Sequence, residues 1–205
     1  MEYDTIPSTD VINKTADALR ERGVEVFVVN DRAEALAKVK ELIPKGASIN
    51  NGSSTTLEEI GLIDYLKGDT HGYNNLHAAV LAEKDPAKQA QLRNESIFSE
   101  YYLGSVHAIA QTGEMIIASA SGSQLPPIVS TSPNLIFVAG VQKIAPTYND
   151  AYSRLNEHVV PLENNRMKDL GMGGTVLAKT FTFLREPAFM GRTVRMILVK
   201  EKLGF

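Results

Sequence analysis

The chain has no cysteine. That excludes disulfides and every site built on thiolate ligands, iron–sulfur clusters and cysteine-type zinc among them. A reducing compartment fits such a composition. Basic excess is missing too: 21 Lys and Arg stand against 24 Asp and Glu, a formal net charge of −3. A dedicated nucleic-acid binder carries the opposite footprint, and no Lys/Arg cluster exceeds a pair separated by one residue. Long apolar runs are absent; Leu135 to Ala139 falls far short of the roughly 20 residues a spanning helix needs. The opening Met1-Glu2-Tyr3-Asp4 is acidic and lacks the apolar segment of a signal peptide. A soluble, cytoplasmic protein without membrane or nucleic-acid partners is the expectation.

What is present is core-forming material: 43% of 205 residues are hydrophobic, enough for one globular domain over residues 1–205. Asp10 to Arg22 has helical periodicity, with Val11, Ile12, Thr15, Ala16 and Leu19 on one side and Gly23 as its stop. Val24 to Val29 reads as a strand buried on both faces. The next helix, capped by Asn30 or Asp31, has Ala33, Leu36, Ala37, Leu42 and Ile43 as its core stripe. Pro44-Lys45-Gly46 then turns into a second strand, Ala47 to Asn50.

Later, the polar stretch Asp69 to Asn75 resists assignment, whereas Leu76 to Ala82 and Ala87 to Phe98 read as helices. Tyr101 to Ile109 and Glu114 to Ala118 read as strands around the turn Gln111-Thr112-Gly113. Ser119 to Gln124 is a small-residue loop, and Pro126-Pro127 cannot continue a helix. Leu135 to Val141 is the clearest buried strand. Asn149 to His158 reads as a helix with Tyr152 and Leu155 inward. After a flexible corner at Gly171 to Gly174, Thr175 to Leu184 and Thr193 to Val199 are strand-like. The predicted fold class is α/β, a mostly parallel sheet flanked by helices, with an antiparallel edge late in the chain.

The stretch Ser48 to Gly61 is the most telling. A strand ends there in a hydroxyl-rich loop that enters a helix, with Thr55 or Thr56 as cap and Glu58 or Glu59 closing a capping box. Free N–H groups and the helix dipole, roughly half an elementary charge, make Asn51, Gly52, Ser53, Ser54 and Thr55 an anion-site candidate. A plain, well-capped turn is the ordinary alternative. The Gly-Lys-Ser/Thr ending of a Walker loop is missing.

Ser105 and His107 project from one face of an extended segment. No Gly-x-Ser-x-Gly elbow accompanies them, so His107 reads better as a pocket residue than as the base of a nucleophile. Gly104, Ser105, His107 and Gly113 are expected to form the wall of the ligand site that faces the Asn51 to Thr55 loop. Glu114 is either a surface charge or, with His107, a proton-exchanging group. Lys143, just past the buried strand, is either a solvated lysine or an anion-binding cation. Arg166, in the loop expected at Asn164-Asn165-Arg166, suits a carboxylate. His71 and His77 lack the spacing of a helical metal pair, so no metal site is expected.

Several runs together resemble the LUD (lactate-utilisation) domain family. They are Asn51-Gly52-Ser53-Ser54-Thr55-Thr56-Leu57-Glu58-Glu59-Ile60-Gly61, Tyr101 through Gly113, Phe137-Val138-Ala139-Gly140-Val141-Gln142-Lys143-Ile144, and Ile197 through Phe205, in the family's order. The resemblance implies a fold like glucosamine-phosphate deaminase, ribose-phosphate isomerase and the CoA-transferases. It also implies a part in oxidising L-lactate to pyruvate, often beside iron–sulfur oxidoreductase partner subunits. Two departures stand out. Gln111 occupies a place where relatives commonly carry Glu, and Arg166 to Thr175 lacks the cysteine cluster of related sequences. The chain itself therefore holds no iron–sulfur cofactor. The function so read is binding of a small anionic ligand at the strand ends in 2-hydroxy-acid metabolism. The alternatives are a non-catalytic subunit or ligand sensor, and an enzyme on phosphosugar, acyl-CoA or folate-like substrates.

Overall fold

Two kinds of strand sequence build two sheets. The computed structural model describes residues 3–68 and 70–205. Met1 and Glu2 of the acidic opening, and Asp69 of the polar stretch, lie outside the described residues. The chain runs α1 (Thr9–Glu21), β1 (Val24–Val29), α2 (Arg32–Leu42), β2 (Ser48–Asn51), α3 (Thr55–Glu59), α4 (Leu62–Lys67), β3 (Asn74–Asn75), α5 (Leu76–Ala82) and α6 (Pro86–Glu95). It continues with β4 (Tyr101–Gly104), β5 (Ala108–Ala110), β6 (Met115–Ser119), β7 (Asn134–Gly140), β8 (Ile144–Ala145), α7 (Tyr148–Arg154), α8 (Val160–Asp169), β9 (Lys179–Phe183) and β10 (Thr193–Val199).

Six strands, ordered β1-β10-β7-β4-β2-β3, pair in parallel throughout. Strand β7 shows why both faces must be covered. Leu135, Phe137 and Ala139 face α1 and the second sheet. Ile136 and Val138 face the opposite side, with Leu57, Leu62, Ala35 and Val39. Alternation with period two on a strand apolar at every step requires a layer on each side. The second sheet, β8-β5-β6-β9, joins β6 antiparallel to both β5 and β9 and β8 parallel to β5. Its outer face is closed by Ala151, Leu155 and Val159.

The segment Tyr101 to Ile109 is not one strand. Residues Ser105 to His107 break it, so β4 belongs to the large sheet and β5 to the small one. This crossover puts the break between the two sheets, beside the C-terminal ends of β2 and β7. Other expectations shift as well. In α2 the buried residues are Ala35 and Val39, while Ala33 and Ala37 are not buried. The prolines at 126–127 open a π-helical turn over Pro127–Thr131. Tyr152 is exposed whereas Leu155 is buried. The residues Asn164-Asn165-Arg166 lie on α8, reached from α7 through π-helical Leu155–Val159, and not in a loop. Among the described residues no helix is long and apolar enough to cross a membrane.

Candidate functional site

The C-terminal ends of parallel strands all leave one edge of a sheet, which is where α/β proteins hold ligands. Here Gly52 to Ser54 follow β2, Ser105 to His107 follow β4, and Val141–Lys143 form a single 3-10 turn after β7. These three segments converge on a cavity of about 540 Å³.

Lys143 forms its floor. Only 4% exposed, its Nζ donates to Thr56 Oγ1 (3.0 Å), Ser105 Oγ (3.2 Å) and the Val106 carbonyl (3.2 Å). No carboxylate pairs with it among the described residues. Burial, then the charge of Arg154, pull its pKa down to about 7, against a weaker opposing pull from Glu59. Three hydroxyl and carbonyl dipoles replace only part of the hydration an ammonium gives up.

The loop between β2 and α3 faces this amine. Ser54, not Thr55 or Thr56, caps α3 by accepting from the Leu57 amide at 3.3 Å. This frees Thr56 to hold Lys143. The amides of Ser53, Ser54 and Thr55 have no acceptor among the described residues, and all three residues line the cavity. Helix α3 spans only five residues, so the expected dipole is minor and the cationic character resides in Lys143. Arg166 also lines the cavity, but Glu163 grips it through two bonds of 2.7 and 2.8 Å. Its charge is thereby offset, with one long contact to Ser53 Oγ at 3.5 Å.

His107 shares the cavity in a restricted role. Its Nδ1 accepts from the Ala118 amide at 3.1 Å, which leaves Nε2 to carry the proton of the neutral ring. Burial first, then Lys143 and Arg154, push its pKa down to about 3. With its pKa held that low the ring is neutral near pH 7, where it would serve as a hydrogen-bond donor to a ligand. Behind it Arg154, 1% exposed, donates to the His107 carbonyl at 2.6 Å.

Of the sequence candidates, Gly52, Ser53, Ser54, Thr55, Gly104, Ser105, His107 and Lys143 all reach the cavity. Three do not. Asn51 turns to a smaller neighbouring cavity of about 130 Å³. Glu114 pairs with Arg22 and Thr112 and does not line this cavity. Gly113 (φ +94°) packs under α1, where a Cβ would sit 2.8 Å from the Ala18 carbonyl oxygen; its role is to let the turn pass the helix.

Sequence reasoning missed Tyr102. Its side chain is 1% exposed and its hydroxyl has no hydrogen-bond partner among the described residues, although the residue lines both cavities. Burial holds that phenol above its ordinary range, against a smaller opposing pull from the nearby Gly52 amide, whose geometry falls short of a hydrogen bond. A Tyr in an apolar strand, next to Tyr101, gives no signal of this kind. Also missed was the apolar wall of the cavity, contributed by Leu155, Val159, Val160, Met167, Leu170 and Val176. Among the described residues no group of three or more His, Asp or Glu is placed to hold a metal ion.

Fold and cavity together define the class: an α/β protein with a cation, hydroxyls and open amides at the C-terminal edge of a parallel sheet. The family model of the LUD domain matches residues 12–172, and the chain belongs to that family. Membership supports a role connected with lactate utilisation. Among solved structures, a DUF162 family protein from Deinococcus radiodurans is similar at 10% identity and a TM-score of 0.55, over 94% of this chain and 98% of that one. That likeness is one of fold. eIF2B beta from Chaetomium thermophilum is similar only at a TM-score of 0.36 and 12% identity, over 68% of this chain and 48% of that one. No curated protein matches.

Proposed function

We propose that this LUD-domain chain binds a small organic anion at the ends of β2, β4 and β7, within the utilisation of lactate or a related 2-hydroxy acid. The carrying observation is Lys143, a buried cation without a carboxylate partner, opposite amides that have no acceptor. An anion there satisfies both. A charge-assisted hydrogen bond contributes about 1.5–3 kcal/mol, and the burial of Lys143 strengthens it.

The cavity also bears on ligand size. At about 540 Å³ it has room for well over a dozen waters at ~30 Å³ each, more than a three-carbon acid displaces. Its apolar wall suits a ligand with an anionic head and an apolar body, in the ordinary size range of ligand pockets. Kinship with glucosamine-phosphate deaminase, ribose-phosphate isomerase and CoA-transferases forms part of the same proposal, as does the reading of residues 1–205 as one domain.

A second reading, a non-catalytic ligand-binding subunit beside an iron–sulfur oxidoreductase, draws on the cavity rim. Leu170, Met172 and Val176 are each at least 60% exposed there, an apolar margin suited to a partner. With no cysteine in this chain, any cluster would belong to that partner.

Thermal shift with lactate, pyruvate, longer 2-hydroxy acids, sugar phosphates and coenzyme A tests the site. A ligand at a hundred times its Kd stabilises by about 2.7 kcal/mol. Carboxylates are expected to raise Tm in the wild type and not in Lys143→Met. An unchanged response in that variant refutes the site.

A further inference from the structure

We infer that Lys143 is an amine nucleophile that joins the carbonyl carbon of a 2-oxo acid as an imine. This inference rests on the anion-site reading above and adds covalent chemistry to it. Its basis is the way the cavity floor is built.

An amine acts as a nucleophile when it is desolvated, unpaired with carboxylate, and near groups that relay protons. Lys143 meets each condition. It is buried at the base of an open cavity and has no ion-pair partner among the described residues. Its Nζ is in contact with two hydroxyls, Thr56 Oγ1 and Ser105 Oγ, themselves 3.3 Å apart. A hydroxyl both donates and accepts, so this pair can take protons from the amine and return them to a departing oxygen. Arg154 and Glu59 are the charged groups acting on the amine, Arg154 favouring the neutral form. His107, neutral itself, completes the surroundings.

The ligand class follows from what the amine lies beside. Thr56 holds Nζ at 3.0 Å, and the preceding residue, Thr55, lines the same cavity with an amide that has no acceptor among the described residues. The amine, on the turn after β7, and the loop after β2 thus meet at Thr56. A ligand that offers the loop a carboxylate and the amine an adjoining carbonyl carbon is a 2-oxo acid. That is also the oxidation product of a 2-hydroxy acid.

The step balances without a further reactant. The amine lone pair adds to the 2-oxo carbon, and the carbonyl oxygen becomes the hydroxyl of a carbinolamine. The C–O bond then breaks, and the oxygen leaves as water with a proton relayed by Ser105 or Thr56. Ammonium and ketone have become iminium and water, and no electrons are exchanged with any other group. The iminium keeps a positive charge beside the carboxylate held by the loop.

Borohydride reduction of the full chain with pyruvate tests this, read by intact mass and peptide mapping. The expected product is a carboxyethyl-lysine at Lys143, saturable in pyruvate and suppressed by excess lactate, which has the carboxylate but no carbonyl. An ordinary lysine is unprotonated in on the order of one molecule in a thousand at pH 7. With Lys143 about half unprotonated at that pH, it should be trapped on the order of several hundredfold faster than exposed lysines. Lys143→Arg should lose the adduct, and mapping of the wild type gives the same answer if that variant misfolds. Adducts spread over exposed lysines alone overturn the inference. If pyruvate still raises Tm in that case, the anion site stands and only the covalent step falls. With neither adduct nor shift, both fall.

Discussion

Replacing Lys143 with methionine should make the protein more stable at low pH while removing its anion affinity. Methionine keeps much of the length and volume of the side chain but carries no charge. In the folded chain Lys143 titrates at about 7; in the unfolded chain it titrates near the ordinary lysine value of ~10.4. Between those values the unfolded state binds more protons, so wild-type stability rises with pH through this window. The penalty for charging the buried amine is fully present below pH 7 and is gone above about pH 10. Its size is on the order of a few kcal/mol, because each tenfold weakening of proton binding corresponds to about 1.4 kcal/mol. Urea unfolding of wild type and Lys143→Met at pH 6 and pH 9 isolates the effect, since other titrating groups cancel in the difference. The variant should lead at pH 6, and its lead should shrink by about 2 kcal/mol or more at pH 9. A lead that does not change with pH, or a variant less stable at pH 6, would falsify the description of Lys143 as a desolvated, unpaired cation.

Three further outcomes are expected. Glu114→Gln should leave the thermal shift by carboxylates unchanged while lowering stability by about 1–3 kcal/mol, because Arg22 loses its partly buried partner; a lost ligand response would return Glu114 to the site. In NMR titration the His107 ring should stay neutral from pH 8 down to pH 5. With its pKa depressed to about 3, it supports folding above the unfolded value of about 6.5, and this contribution declines as pH falls toward 3. A midpoint near 6.5 would contradict its burial between Lys143 and Arg154. Gly204→Ala should weaken both stability and ligand binding. Residue 204 has φ +62°, and a Cβ there would lie 2.4 Å from Thr56 Oγ1, so about 1–3 kcal/mol of strain falls on the residue that positions Lys143; equal Tm and affinity would refute that coupling.

The local elements of this chain were legible because each depends on a short-range rule. Val24 to Val29 and Thr193 to Val199 are strands within the predicted limits, since unbroken β-branched and aliphatic runs bounded by turns have few other conformations. The loop after β2 was recognisable from its hydroxyls and from its match to the LUD family. The exchange of caps, Ser54 in place of Thr55 or Thr56, was not, because three neighbouring hydroxyl residues satisfy the same capping rule and only the position of Lys143 selects among them.

By itself, then, the sequence determined the α/β class, the exclusion of thiolate chemistry and the family. Those depend on composition, periodicity and motif order along the chain. Tertiary structure alone decided that the run Tyr101 to Ile109 divides between two sheets, that Glu114 turns to Arg22, and that Lys143, Thr56 and Ser105 meet at one point. Which charges are left without partners depends on distances between residues 38 to 87 positions apart, and a one-dimensional pattern holds no record of those distances. The pKa of a lysine is set by what water it loses and which neighbours replace it, and both are properties of the packed interior.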